Sequence, residues 1–215
     1  MSELHWNTIT PAMRSVLAVY AKSKLSKEFY LAGGTALALQ LGHRLSVDLD
    51  YFSTTQEDIP VLMEPLRQAL KVFSPILSDS SWGNLVFLAN NVRVGFYGYG
   101  YEMVKPLLQA EGIALASVED IALMKMDALL SRASRKDFHD LYAICQSISL
   151  RGLLNLAPRK YPSVRDFEAQ MARHMVSFER AEQESPVPLI EPVEWETVKE
   201  WFSKQAKSIG KSWLE

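Results

Sequence analysis

The stretch YLAGGTALALQLGHRLSVDLDYF, residues 30–52, sets Asp48 and Asp50 inside an apolar run shortly after the pair Gly33 and Gly34. That arrangement restricts what the segment can form. TALALQL consists of strong helix formers bounded by Gly34 and Gly42, which predicts a short helix launched from the glycine turn. EFYLAG before it is short and aromatic, and LSVDLDYF after it alternates, so both read as strands. Side chains of a strand alternate between faces at about 3.3 Å per residue. Ser46, Asp48 and Asp50 therefore share one face, while Val47, Leu49 and Tyr51 share the other, which can pack into a core.

Two carboxylates roughly 7 Å apart along a strand are close enough for their side chains to converge on divalent ions. Magnesium takes a few carboxylate oxygens together with substrate phosphates, and a pair of ions can clamp the attacking and leaving oxygens of a phosphoryl group. The glycines allow a tight turn and close backbone approach. The helix they launch points free N–H groups and its positive dipole end at an anion such as a triphosphate.

The remainder of the chain supplies a frame for this unit. Thr10 followed by Pro11 predicts a helix to about Ser23, with the hydroxyl as N-cap and the proline in the first turn. Residues 59–73 show helical spacing. Residues 84–99 hold two β-rich runs around Asn90 and Asn91, a pair that tolerates the left-handed backbone of a tight hairpin. Past residue 112 the pattern turns helical. Ser117 with Asp120, and Ser134 with Asp137, have the spacing of capping boxes and open two helices, the second running to about Ser147. Two more helical stretches fall near 164–178 and 193–209. The fold class expected is α+β: a small mixed, partly antiparallel sheet flanked by helices over 1–112, then a mostly helical region over 113–215 packed on that core.

Composition narrows the classes. With 215 residues, 48% hydrophobic and 22% charged, the chain can bury a sizeable core, a composition that argues against disorder. A single cysteine, Cys145, excludes an internal disulfide and a cysteine-based zinc cluster. A formal charge of −2 gives no polyanion-binding character to the chain as a whole, so a nucleic-acid contact would rest on local patches. The absence of a long apolar run and of a signal-peptide pattern sets the expectation of a cytoplasmic protein without membrane contact.

Gly-Gly-Thr, a short helix and then HRLSVDLDYF together resemble the first motif of the polymerase-β-like nucleotidyltransferase superfamily. Within it the likeness is to the AbiEii/AbiGii-type toxins of abortive-infection and toxin–antitoxin systems. MKMDALLSRASRKDFHDLY, residues 124–142, resembles that family's second conserved region, and the likeness runs from about residue 28 to 146. It implies metal-dependent transfer of a nucleoside monophosphate from an NTP to an acceptor, with Mg2+ as cofactor and pyrophosphate leaving. The resemblance assigns the phosphates to Gly33, Gly34 and Thr35, with Ser46 lining the same face, and magnesium to Asp48 and Asp50. Lys125 would reach the phosphates as a point charge. Asp137 corresponds to a supporting aspartate, accompanied by Arg132 and Lys136. An RNA or tRNA acceptor and a cognate antitoxin protein are implied as partners.

Other readings stand beside these. Asp137 is also explained as part of a helix cap, and Arg44 as an ion-pair partner that orients the aspartate strand. His43 and His139 lack ligand partners at metal-site spacing and read as structural. The strand VRVGFYGY should present a third carboxylate by analogy with the wider superfamily, but that face carries Arg93, Gly95 and Tyr97. General-base help is typically worth 10²–10⁴-fold, a loss that positioning and metal can outlast. Residues 125–180 carry ten Lys/Arg against six Asp/Glu, including Arg132, Arg135, Lys136, Arg151, Arg159, Lys160 and Arg165. That excess fits a tract for an RNA backbone or a mixed solvated helix face. A small-molecule nucleotidyltransferase and a catalytically silent NTP-binding or interaction module are the alternative functions.

Overall fold

The structure is a computed structural model that describes residues 3–55 and 57–211. The chain divides into two compact units, Met1–Ser117 and Val118–Glu215.

The first unit opens with helix α1 (Pro11–Tyr20), where the Thr10 hydroxyl accepts from the Met13 amide at 3.2 Å as its N-cap. Strand β1 (Tyr30–Leu31) leads into α2 (Gly33–Leu41), and β2 (Asp48–Ser53) follows. Helix α3 (Met63–Ala69) lies between short 3-10 turns at Ile59–Leu62 and Lys71–Phe73. Then come β3 (Ile76–Ser81), β4 (Asn84–Ala89), β5 (Val92–Gly98), β6 (Leu108–Ala110) and β7 (Ile113–Leu115). These strands form one sheet in the order β3-β4-β5-β2-β1-β7-β6. Strand β2 is interior, antiparallel to β1 and parallel to β5, while β4 and β5 form the expected hairpin with Asn90 and Asn91 both at positive φ.

The structure corrects several details. The first strand is two residues long rather than the whole of EFYLAG. Strand β2 begins at Asp48, so Ser46 and Val47 precede the pleat, and Val47 is 68% exposed instead of packing with Leu49 and Tyr51. Strand β3 is an addition: every residue of it is exposed at the sheet edge, so it carries no apolar alternation to read. The first unit ends at Ser117 rather than residue 112, because β7 pairs with β1 at Leu31 and Leu115 and so belongs to the sheet.

The second unit consists of α4 (Val118–Ser131), α5 (Arg135–Ile144), α6 (Leu150–Lys160), α7 (Phe167–His174), α8 (Glu179–Glu182) and α9 (Trp195–Lys211). Helix α6 is not among the predicted elements. It contains Gly152 and Pro158, residues that lower helix propensity, and is held by a Ser149 cap on the Gly152 amide at 3.1 Å and by buried Leu150, Leu153 and Leu154. Phe138 sits among the rings of Phe178, Trp195 and Phe202, at centroid distances of 5.1, 5.7 and 5.0 Å. Trp195, Val198 and Phe202 are all buried, so their helical spacing serves packing.

Candidate active site

The main chain brings the two halves of the first motif together within the first unit. The Ala32 amide donates to the Asp50 carbonyl at 3.0 Å, joining the end of β1 to the middle of β2. Gly33 then turns at φ +65°, a conformation that favours glycine, and a side chain added there would begin 3.5 Å from Asp50 Oδ2. The Asp50 carboxylate therefore lies beside the N-terminus of α2. Burial alternates along β2, with Leu49, Tyr51 and Ser53 buried and Asp48, Asp50 and Phe52 partly exposed. The aspartates share one face, as the alternation from Asp48 onward requires.

The other residues of this motif fasten it. Thr35 is buried, and its hydroxyl bonds the Ser46 hydroxyl at 2.7 Å and donates to the Asp48 carbonyl. Ser46 is buried as well. In the structure these hydroxyls tie the first turn of α2 to the start of β2. Gly34 makes room for a buried arginine: an added Cβ would lie 2.1 Å from Arg44 Nη2. Arg44 Nη1 donates to the Leu45 carbonyl at 2.9 Å. Arg44 and Gly34 meet across ten residues and a turn, a separation that carries no periodic signal in the sequence.

Beside the aspartates, β5 presents Arg93, Gly95 and Tyr97, registered against Asp48, Asp50 and Phe52. Arg93 Nη1 lies 3.3 Å from Asp50 Oδ1, and Nη2 donates to the Tyr97 hydroxyl at 2.8 Å. Gly95 is covered: an added Cβ would lie 2.4 Å from the Tyr97 hydroxyl oxygen. Burial and the Asp50 charge push the Tyr97 phenol above its ordinary pKa, so it stays neutral. Burial works against the Arg93 charge, but Tyr97, Asp50 and Asp48 together raise its pKa.

The second motif builds a different kind of site inside the second unit. Lys125 of α4 is buried, with its Nζ 2.9 Å from Asp137 Oδ1 and 2.6 Å from Asp140 Oδ2. Arg132 adds two bonds to Asp137, Nε to Oδ2 at 2.8 Å and Nη2 to Oδ1 at 3.0 Å. The Ser134 hydroxyl donates to Asp137 Oδ2 at 2.5 Å, so Ser134 addresses the carboxylate and not the backbone of α5 as a capping box would. Burial alone would raise the Asp137 pKa, yet Lys125, Arg132 and Ser134 hold it well below the usual carboxylate range. Asp120, at the start of α4, makes a second buried ion pair. It is fully buried and its Oδ1 lies 2.9 Å from Lys160 Nζ of α6.

Asp140 is the residue that sequence reasoning missed. Its signal was available: it stands three places after Asp137, hence on the same helix face, opposite a lysine already read as partly buried. Lys136 is exposed on α5, and Arg132 keeps 47% of its side chain in solvent. His139 is buried with its ring 5.4 Å from Trp195, a packing role.

The model of the family described as nucleotidyl transferase AbiEii toxin, type IV toxin–antitoxin system, matches residues 15–81, a span that holds Gly33, Gly34, Asp48 and Asp50. An uncharacterized protein of Aquifex aeolicus (strain VF5) is 34% identical over 202 residues, covering 90% of this chain and 94% of its own. The chain belongs to the AbiEii nucleotidyltransferase toxin family. Among solved structures, JHP933 from Helicobacter pylori matches the fold with a TM-score of 0.56 at 18% identity, over 94% of this chain and 90% of that one. MenT4, a nucleotidyltransferase toxin from Mycobacterium tuberculosis H37Rv, matches at 0.52 and 11% identity, over 93% and 82%. The α+β architecture with its mixed sheet is thus a nucleotidyltransferase fold, and AbiEii membership makes the chain a nucleotidyltransferase.

Enzymes of this class use NTP substrates and typically divalent metals. The donor set here fits such an ion in a limited way. Asp48 and Asp50 are partly exposed on one strand face, and Mg2+ is commonly held by one or two carboxylates completed by phosphates and water. Among the described residues, no group of three or more His, Cys, Asp or Glu side chains is arranged to hold a metal. The basic tract of the AbiEii chain is thinner in space than in sequence. Lys125 and Lys160 are internal, and Arg151 and Arg180 pair with Glu168 at 2.5 Å and Glu184 at 3.6 Å. Among the described residues, no helix is long and apolar enough to cross a membrane.

Proposed function

We propose that this protein transfers a nucleoside monophosphate from an NTP to a hydroxyl of an RNA acceptor, as the toxin of a toxin–antitoxin pair. The observation that carries this reading is the placement of Asp48 and Asp50 on one face of an interior strand, with Asp50 against the Gly33 turn that opens α2. The backbone N–H groups of the first α2 turn, at Gly33, Gly34 and Thr35, would receive the triphosphate and favour its charge. Thr35 and Ser46 hold that turn in register with the aspartates. Asp48 and Asp50 would hold Mg2+, which when bound would neutralise phosphate oxygens and orient them for in-line displacement.

In the reaction the acceptor hydroxyl oxygen bonds the α-phosphorus and its proton passes to solvent, while the bond from that phosphorus to the bridging oxygen breaks with its electron pair going to that oxygen, and pyrophosphate leaves. Positioning and fixed charge supply most of the acceleration in such a transfer. On the family resemblance alone, we assign Arg132 and Lys136, exposed cations of the second motif, to phosphate contacts. Lys125 and Asp137 serve the reaction through the buried network they share with Asp140, which sets the Arg132 side chain. Exposed Arg159 and Arg165 offer charge to an RNA backbone. A cognate antitoxin protein is the expected partner in the cell.

The test is incubation of the purified protein with Mg2+, each of the four NTPs labelled at the α-phosphate, and total bacterial RNA, beside Asp48→Ala. Label on a discrete RNA band with wild type alone supports the proposal. Label on a small molecule would move the acceptor class. NTP binding that needs Asp48, with no transfer to any acceptor, would sink the catalytic reading in favour of a silent NTP-binding module.

A further inference from the structure

The strand next to the aspartates carries a cation where a further ligand could stand. Gly95 registers directly against Asp50, and its missing side chain leaves no empty space, because the Tyr97 ring covers it. Tyr97 in turn anchors Arg93, whose guanidinium is held at both ends, Nη2 on the Tyr97 hydroxyl at 2.8 Å and Nη1 3.3 Å from Asp50 Oδ1. Arg93 is half exposed on the aspartate face, so its charge is open to a ligand bound there.

We propose that this face takes one divalent cation, with Arg93 as the fixed second positive charge and Tyr97 as the residue that positions it. The inference rests on the nucleotidyltransferase reading and refines its metal chemistry. Two facts limit the ion count. On this sheet face β2 offers the carboxylates of Asp48 and Asp50, and the β5 positions registered against them carry Arg93 and Gly95 instead of a third acid. A second dication would also have to share Asp50 with the guanidinium at close range, where like charges repel strongly. A bound arginine supplies the charge without a metal and adds directional donors that suit phosphate oxygens.

The test counts ions directly. Manganese bound per chain is measured by electron paramagnetic resonance, first with the metal alone and then with a non-hydrolysable α,β-methylene analogue of each NTP. Wild type is compared with Arg93→Gln, Arg93→Lys and Asp48→Ala. Wild type should bind one ion with the analogue present. Arg93→Gln removes a positive charge beside Asp50, so it should bind manganese alone about tenfold more tightly and accept a second ion with the analogue, while transfer falls. Arg93→Lys should keep the wild-type ion count. Tighter metal binding with weaker activity is a split that mere loss of structure does not produce. Two ions in wild type, both lost in Asp48→Ala, would overturn this inference and leave the nucleotidyltransferase reading standing. Unchanged or weaker manganese binding in Arg93→Gln would also overturn it. Absence of bound manganese in wild type with every analogue would overturn both.

Discussion

Asp48 and Asp50 on β2, and Asp137 and Asp140 on α5, are two pairs of aspartates put to opposite uses. The strand pair is partly exposed, with Asp50 meeting one guanidinium that is itself half in solvent. The helix pair is fully buried: Asp137 receives bonds from Lys125, Arg132 and Ser134, and Asp140 pairs with Lys125. A carboxylate removed from water must be compensated by the protein, whereas one left at the surface keeps its charge available for a cation that arrives with substrate. The first pair is chemistry held open and the second is chemistry closed on itself.

That contrast breaks if the two pairs respond alike to substitution. Asp48→Ala should lower nucleotidyl transfer by about 10²–10³-fold or more while changing unfolding free energy by no more than about 0.5 kcal/mol, read by labelled-NTP assay and urea titration. Asp137→Ala should do the reverse in stability. It takes one of two carboxylates from buried Lys125, which keeps Asp140, and the carboxylate bonded by Arg132; it should cost about 3–5 kcal/mol in the same titration, and a cost below about 1 kcal/mol would show the network to be dispensable.

The pH dependence sharpens the same difference. The folded Asp137 carboxyl is held below its ordinary value of 3.8, so its contribution is present above that value and is lost as pH falls through the lower folded one. Wild type should therefore lose stability progressively below about pH 4, and Asp137→Asn should flatten that slope, as followed by thermal unfolding at a series of pH values. Gly34→Ala would displace the buried Arg44 guanidinium and should cost about 1–3 kcal/mol, with α2 and the Asp50 face shifted together. Val47→Ser should change stability by less than about 0.5 kcal/mol, because Val47 faces solvent ahead of the strand.

Particular elements show how far local pattern reaches. Thr10 capping α1, the Asn90 and Asn91 hairpin, the glycine-launched α2 and the alternation of β2 were all legible, because each depends on a few adjacent residues. Strand β3 was not legible, since its exposed residues are paired only by β4. Helix α6 was hidden by Gly152 and Pro158, which packing of its leucines overrides. Within the site, the aspartate face was readable from spacing. Gly34 serving Arg44, Tyr97 folding over Gly95, and Lys125 joining Asp137 to Asp140 required partners separated along the chain to meet.

Residue order alone carries the family motif, the helix formers after the glycines and the period-2 placement of Asp48 and Asp50, because steric preference and pleat act between neighbours. Which charges remain open and which are cancelled was decided by tertiary structure. Ser134 and Asp137 have the spacing of a cap, but burial beside Lys125 and Arg132 turned the serine toward the carboxylate, since an uncompensated buried charge costs more than an unmade cap. Arg93 meets Asp50 through the register of β5 on β2, a pairing that no local stretch of the chain specifies.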